Sequence, residues 1–85
     1  MKLFISRRAL DSGTAVKVDG WLNAAGVAAL FEACAGIPPP LVLDLSDLRD
    51  ADPDGVAALQ RLATADATIV GASPYIQLLL HNQGA

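Results

Sequence analysis

Five aspartates crowd one short stretch, at positions Asp44, Asp47, Asp50, Asp52 and Asp54. Carboxylates at this density could hold a cation, serve as acid and base, or cap a helix. Asp50, Asp52, Asp54 and Gly55 match the opening D-x-D-x-D-G of a calcium loop. That loop closes with a bidentate glutamate at its twelfth position. Counted from Asp50, the twelfth residue is Arg61, whose charge has the wrong sign. The segment before Asp50 also reads as a strand, where a calcium loop has a helix. A tight calcium site is therefore not expected, and magnesium on the same carboxylates would be weak and unspecific. Metal-assisted hydrolysis lacks a His or Lys beside the aspartates. Ser46, Thr64 and Ser73 carry hydroxyls but show no paired base, so nucleophilic catalysis has no support. Cys34 and His81 are the single cysteine and histidine, too few for a metal centre. Cys34 falls on an apolar helix face and reads as packing. His81 reads as a helix-end or solvent-facing residue. Glycine-rich phosphate loops are absent. The expectation is a chain that binds and does not catalyse, with no cofactor and no metal.

The acidic stretch needs elements to hold it. Leu41, Val42, Leu43 and Leu45 form an apolar run of strand length. Pro38, Pro39 and Pro40 keep a helix from entering it. Asp52 suits a helix N-cap and Pro53 the first helical position. Val56, Leu59 and Ala63 then recur on one helical face, and the helix is expected to reach about Ala65. A strand, an acidic loop and a helix start follow in order. In open α/β sheets, sites lie where strands end and helices begin.

Before this unit, Leu3, Phe4 and Ile5 predict a strand and Asp11, Ser12 and Gly13 a turn. Ala15, Val16 and Val18 predict a second strand, ended by Asp19 and Gly20. Asn23 suits an N-cap. Val27, Leu30, Phe31 and Cys34 make one face of a first helix, and Gly36 suits the position after its end. After the central unit, Thr68, Ile69 and Val70 are β-branched and predict a strand, broken by Gly71. Ser73 and Pro74 open a third helix, with Ile76, Leu79 and Leu80 on its apolar face and Gly84 at its end. The expected order is ββαβαβα, one α/β domain over residues 1–85 with a mostly parallel sheet. The first turn places the first strand antiparallel, at or near an edge.

Composition narrows the class. Hydrophobic residues make up 53% and charged residues 18%, which excludes a disordered chain. Six scattered Lys and Arg with a net charge of −3 leave no nucleic-acid footprint. One cysteine permits no disulfide within the chain and suits a reducing compartment. No apolar run approaches the ~18 residues of a spanning helix, and the opening MKLFISRRAL lacks the apolar core of a signal peptide. A cytoplasmic protein with no membrane contact is expected.

The order and the central stretch together resemble the STAS domain, the family of anti-sigma factor antagonists and of sulphate-transporter cytoplasmic domains. LVLDLSDL is similar to that family's third strand and the loop after it. DADPDGVAAL is similar to its Asp-x-Ser-Gly loop and second helix, with Asp52 and Gly55 in register. VKVDGWLNAAGVAALFEA is similar to its second strand, Gly-rich turn and first helix. GASPYIQLLL is similar to its glycine turn and third helix. The resemblance implies a non-enzymatic regulatory module of a bacterial cell, acting in signalling and transcription regulation. Its implied partner is an anti-sigma factor or a related switch kinase. The implied partner-binding residues are Ser46, Asp52, Asp54, Gly55, Trp21, Asn23 and Ser73.

Two departures stand out. Where phosphorylated members carry the serine that a kinase modifies, this chain has Asp54, which has no hydroxyl. Phosphoserine carries about −1.5 to −2 charge, so one carboxylate imitates it in part; an Asp in a first helical turn also simply favours the helix dipole. The family usually adds a strand or tail after the third helix, and here the sequence stops at Ala85. Ser46 could accept phosphate in place of the missing serine, or serve as a turn residue. Trp21 could anchor a partner or pack the core. A nucleotide or small-ligand module of the same fold is the alternative, although Asp52 and Asp54 would repel an anion from the helix N-terminus.

Overall fold

A computed structural model describes residues 2–83; the helix end expected at Gly84 and the chain stop at Ala85 lie outside them. Eight elements follow in order: β1 (Leu3–Leu10), β2 (Gly13–Leu22), α1 (Ala24–Cys34), β3 (Leu41–Asp44), β4 (Leu48–Ala51), α2 (Pro53–Thr64), β5 (Ala67–Val70) and α3 (Pro74–Gln83). The sheet runs β1-β2-β3-β5, with β4 also paired to β2. β1 is antiparallel to β2 at the edge, as its turn requires, and every other pairing is parallel.

β2 organises the sheet because it is long enough to take two partners in succession. Thr14–Lys17 pairs with Leu41–Asp44 of β3, and Gly20–Leu22 pairs with β4. β3 and β4 are thus two segments of one interrupted path beside β2. A turn at Leu45–Asp47 separates them, closed by the Leu48 amide donating to the Leu45 carbonyl at 3.1 Å.

This arrangement changes two expectations. The segment Leu48–Ala51, expected within a loop, is a strand, so the order is ββαββαβα. Arg49 and Asp50 hide it in the sequence, because only Leu48 and Ala51 of its four residues are buried. β2 also does not end at Asp19 and Gly20. Gly20 takes φ +94°, a left-handed conformation that glycine adopts without steric cost. The β2–β4 register shifts there, and the strand continues through Trp21 and Leu22.

The helices share one apolar core with one face of the sheet. Val16, Val18, Leu22, Leu43, Leu45, Leu30, Leu59 and Ile76 are buried within a single cluster. Alternation along the strands leaves Val42 and Asp44 half-buried and Thr68 and Val70 exposed on the opposite face. That face is open, as antiparallel and mixed sheets permit. On α1, Leu30 and Cys34 are buried while Val27 and Phe31 are half-buried. On α2, Val56 and Leu59 are buried but Ala63 is exposed, contrary to expectation. Gly55, Ala58, Leu59 and half-buried Leu62 carry the stripe instead, so Ala63 falls outside it in the last turn.

Candidate functional site

The N-termini of α1 and α2 meet at one carboxylate. Asp52 is the N-cap of α2, and its Oδ1 accepts from the Gly55 amide at 2.9 Å. Its Oδ2 accepts from the Ala24 amide, at the first position of α1, at 3.0 Å. Asn23 caps α1 in its own right, its Oδ1 accepting from the Gly26 amide at 3.0 Å. The Asp52 amide donates to the Leu22 carbonyl at 3.0 Å, holding the end of β2 beside the start of α2. Both helix starts therefore present their positive dipole ends side by side, and Asp52 answers part of each.

Gly55 has a steric reason to be glycine. A Cβ there would run into the Leu22 carbonyl oxygen and the Leu22 side chain. The glycine lets α2 sit directly on the end of β2.

Asp54 differs from Asp52 in every respect. It occupies the second position of α2, is exposed, and makes no side-chain hydrogen bond or ion pair among the described residues. Asp50 is engaged: it accepts from the Tyr75 hydroxyl at 2.8 Å and from the Ala51 amide at 2.8 Å. That contact holds the tyrosine phenol above its ordinary pKa, because the hydrogen bond and the nearby charge favour the protonated form. Asp47 pairs with Lys17 at 2.7 Å, and the hydrogen bond that the ammonium donates to Asp47 raises the lysine pKa, with Asp19 adding to it.

The remaining expected site residues fall into two places. Ser46 lies in the β3–β4 turn, exposed, and donates its hydroxyl to Asp44 Oδ1 at 2.7 Å. The Ser46 amide donates to the same oxygen at 3.0 Å. These two bonds, the hydroxyl's first, hold the Asp44 carboxyl below its ordinary value. Ser46 thus has a turn-stabilising role of its own. Trp21 is half-buried on β2, opposite Asp50 of β4. Ser46 and Trp21 line a common concavity with Phe4, Asp19 and Asp50. Ser73 caps α3, its Oγ accepting from the Ile76 amide at 3.2 Å. Asp52 is therefore hydrogen-bonded to Gly55 and to Ala24, the residue after Asn23, with Asp54 in the same helical turn, whereas Ser73 belongs to another helix. Phe4 and Asp19 were not among the expected site residues. The exposure of Phe4, at 60%, is the signal, and it comes from the edge position of β1.

No group of three or more metal-ligating side chains comes together among the described residues. No helix among them is long and apolar enough to cross a membrane.

No protein-family model matches the sequence, and no curated protein matches it. Solved structures do match. An antisigma-factor antagonist STAS domain from Rhodobacter sphaeroides superposes with a TM-score of 0.67 at 20% identity, over 81% of this chain and 86% of that one. An uncharacterized protein with a SpoIIAA-like fold from Shewanella loihica matches at 20% identity over 86% of this chain and 70% of that one, with a TM-score of 0.48; that second likeness is too distant to bear weight. Element order, the mixed sheet and the first superposition agree, and the chain has the fold of a STAS-like domain.

Proposed function

We propose that this domain is a protein-binding regulatory module that docks its partner on the edge formed by the starts of α1 and α2. The observation that carries this reading is the contrast between two neighbouring carboxylates. Asp52 is used up internally as a cap for both helices. Asp54, two residues on, is exposed and has no internal partner among the described residues. A side chain with no internal duty, held on a rigid first turn, is available for recognition. The flanking surface is orderly: Asn23 and Asp52 are both half-buried caps, and Gly55 is locked beneath them.

By likeness to the antisigma-factor antagonist fold, the partner is an anti-sigma factor or a related switch kinase in a bacterial cytoplasm. Asp54 stands where phosphorylated STAS domains carry their serine. It supplies fixed charge and offers no hydroxyl, so the domain stays outside a phosphorylation cycle at this position. Calorimetric titration with the anti-sigma factors and switch kinases of the source cell tests the reading. Wild-type protein should bind one of them, and Asp54→Lys should abolish that binding while leaving the fold intact. Equal binding of the Lys variant would overturn the docking edge.

A further inference from the structure

The sheet has an open edge on its first strand. β1 runs for 8 residues and pairs with β2 alone among the described residues. The Trp21 amide donates to the Lys2 carbonyl at 3.1 Å, which sets the alternation along the strand. Phe4, Ser6, Arg8 and Leu10 turn their backbone groups toward β2, and in an antiparallel pair the residues between them turn theirs away. Leu3, Ile5, Arg7 and Ala9 therefore present a row of amides and carbonyls with no strand beside them. Such a row is a template for an added strand.

Two further features decide what kind of strand suits the edge. A groove runs between β1 and α1, lined by Ile5, Arg7, Ala29, Glu32 and Ala33. The two alanines leave room over α1 for apolar side chains of an added strand to pack beside Ile5. The charge is one-sided. Lys2, Arg7 and Arg8 are three of the chain's six Lys and Arg, and the first ten residues hold no acid, in a chain of net charge −3. Arg7 and Arg8 are exposed, and neither makes an ion pair among the described residues. Arg7 shares the α1 face with Ile5 and Arg8 lies on the opposite face, so positive charge flanks the edge on both sides of the sheet. A second copy is disfavoured there. Antiparallel pairing of β1 with itself about a two-fold axis draws the arginines of the two copies together, and like charges across a ladder repel. An acidic segment meets opposite charge on either face.

We propose that the β1 edge takes up an extended acidic segment of a protein partner as an added strand. Ile5, Arg7 and Ala9 supply the backbone hydrogen bonds, Ala29 and Ala33 the floor for apolar side chains, and Arg7 and Arg8 the counter-charge for carboxylates. The two arginines pair with Val16 and Ala15, toward the Asp11–Ser12 turn, whereas α1 and α2 start beyond the other end of β2. The contact is separate from Asp54, and its failure would leave the docking edge at α2 standing.

The test uses a short synthetic peptide of alternating valine and glutamate as probe, with amide hydrogen exchange followed by NMR. Saturating peptide should slow exchange at Ile5, Arg7 and Ala9, whose amides face outward, and leave Phe4, Ser6 and Arg8 as they were, because those amides already face β2. The same peptide N-methylated at alternate residues, which removes its donors to the edge, should give no protection. A valine–lysine peptide should bind far less well. Arg7→Glu combined with Arg8→Glu should weaken binding of the acidic peptide about tenfold, since two attractions become repulsions. Both positions are exposed, and an unchanged spectrum elsewhere verifies the fold of that variant. The proposal is overturned if the acidic peptide gives no protection, if protection does not alternate along β1, or if the N-methylated or lysine peptide binds equally well. Protection of the same amides that grows with protein concentration in the absence of peptide would also overturn it, by assigning the edge to a second copy.

Discussion

The Asp52 carboxylate accepts the amide of Ala24 across 28 residues of sequence, at 3.0 Å, while capping its own helix at Gly55. One side chain thereby fixes the relative placement of α1 and α2. Removing an N-cap costs about 0.5–2 kcal/mol. The bond to Ala24 is solvent-exposed, so water replaces it in part. Asp52→Ala is expected to cost about 2 kcal/mol, more than Asn23→Ala at about 1 kcal/mol. Asp52→Asn should fall between, because an amide retains one acceptor and loses the second. Urea midpoints at constant m-value rank the three variants. Equal losses for Asp52→Ala and Asn23→Ala would show that the bond between helices contributes nothing.

Gly55→Ala sets two effects against each other. Alanine gains up to about 1 kcal/mol over glycine within a helix. The added methyl meets the Leu22 carbonyl, which is itself pinned by the Asp52 amide and has little room to yield. Overpacking of this kind costs about 1–3 kcal/mol, so a net loss of stability is expected. A variant more stable than wild type by thermal melting would show that the end of β2 moves freely.

Leu30 is fully buried between α1 and the sheet. Leu30→Ala should cost about 2–5 kcal/mol, the range for large-to-small changes in a core. The exposed Ala63 provides the contrast: Ala63→Ser should stay within about 0.5 kcal/mol of wild type, as surface changes do. An unchanged denaturant midpoint for Leu30→Ala would refute the core assignment.

These contrasts mark what the sequence made legible. The caps came through because Asn23, Asp52 and Ser73 act locally on amides three residues ahead, and the helix faces came through in part, with Ala63 outside the buried stripe. The edge position of β1 followed from a tight turn. β4 did not, because its pairing depends on β2 continuing past Gly20 to receive it, which no local pattern announces. The same applies to the Asp52–Ala24 bond and to the Tyr75–Asp50 bond, both between residues far apart in the chain. Glycine roles needed the structure as well, since the partner of Gly55 is a backbone oxygen 33 positions earlier (55 − 22).

Tyr75 is the single tyrosine, so its titration can be followed directly by absorbance. Its hydroxyl donates to Asp50, which raises its pKa above the ordinary 10.0. A raised value in the folded state means that the contribution is present below that ordinary value. It is lost as the pH climbs through the folded value. Asp50→Asn should bring the midpoint back toward the ordinary one, and the alkaline limb of the stability curve should start earlier in wild type than in Tyr75→Phe. An identical tyrosine titration in wild type and Asp50→Asn would remove the link between α3 and β4.

Asp54 carries the functional prediction. Its position in the first turn of α2 gives one carboxylate a dipole benefit of about 0.3–1 kcal/mol, so Asp54→Ser should fold with a small loss of that order. On the proposed reading of position 54, the serine would supply the hydroxyl that a switch kinase modifies. With a cognate switch kinase, Asp54→Ser should incorporate phosphate at residue 54, and wild type should incorporate none there or at Ser46. In wild type the Ser46 hydroxyl donates to Asp44 within its own turn, and phosphorylation there would have to break that bond. The phosphorylated variant should lose partner affinity, because phosphate brings about −1.5 to −2 charge and more bulk than the carboxylate it replaces. Mass spectrometry of both proteins after incubation with the kinase decides the matter. Phosphate on Ser46 of the wild-type chain would mean that the domain is switched after all, through the β3–β4 turn and not through the start of α2.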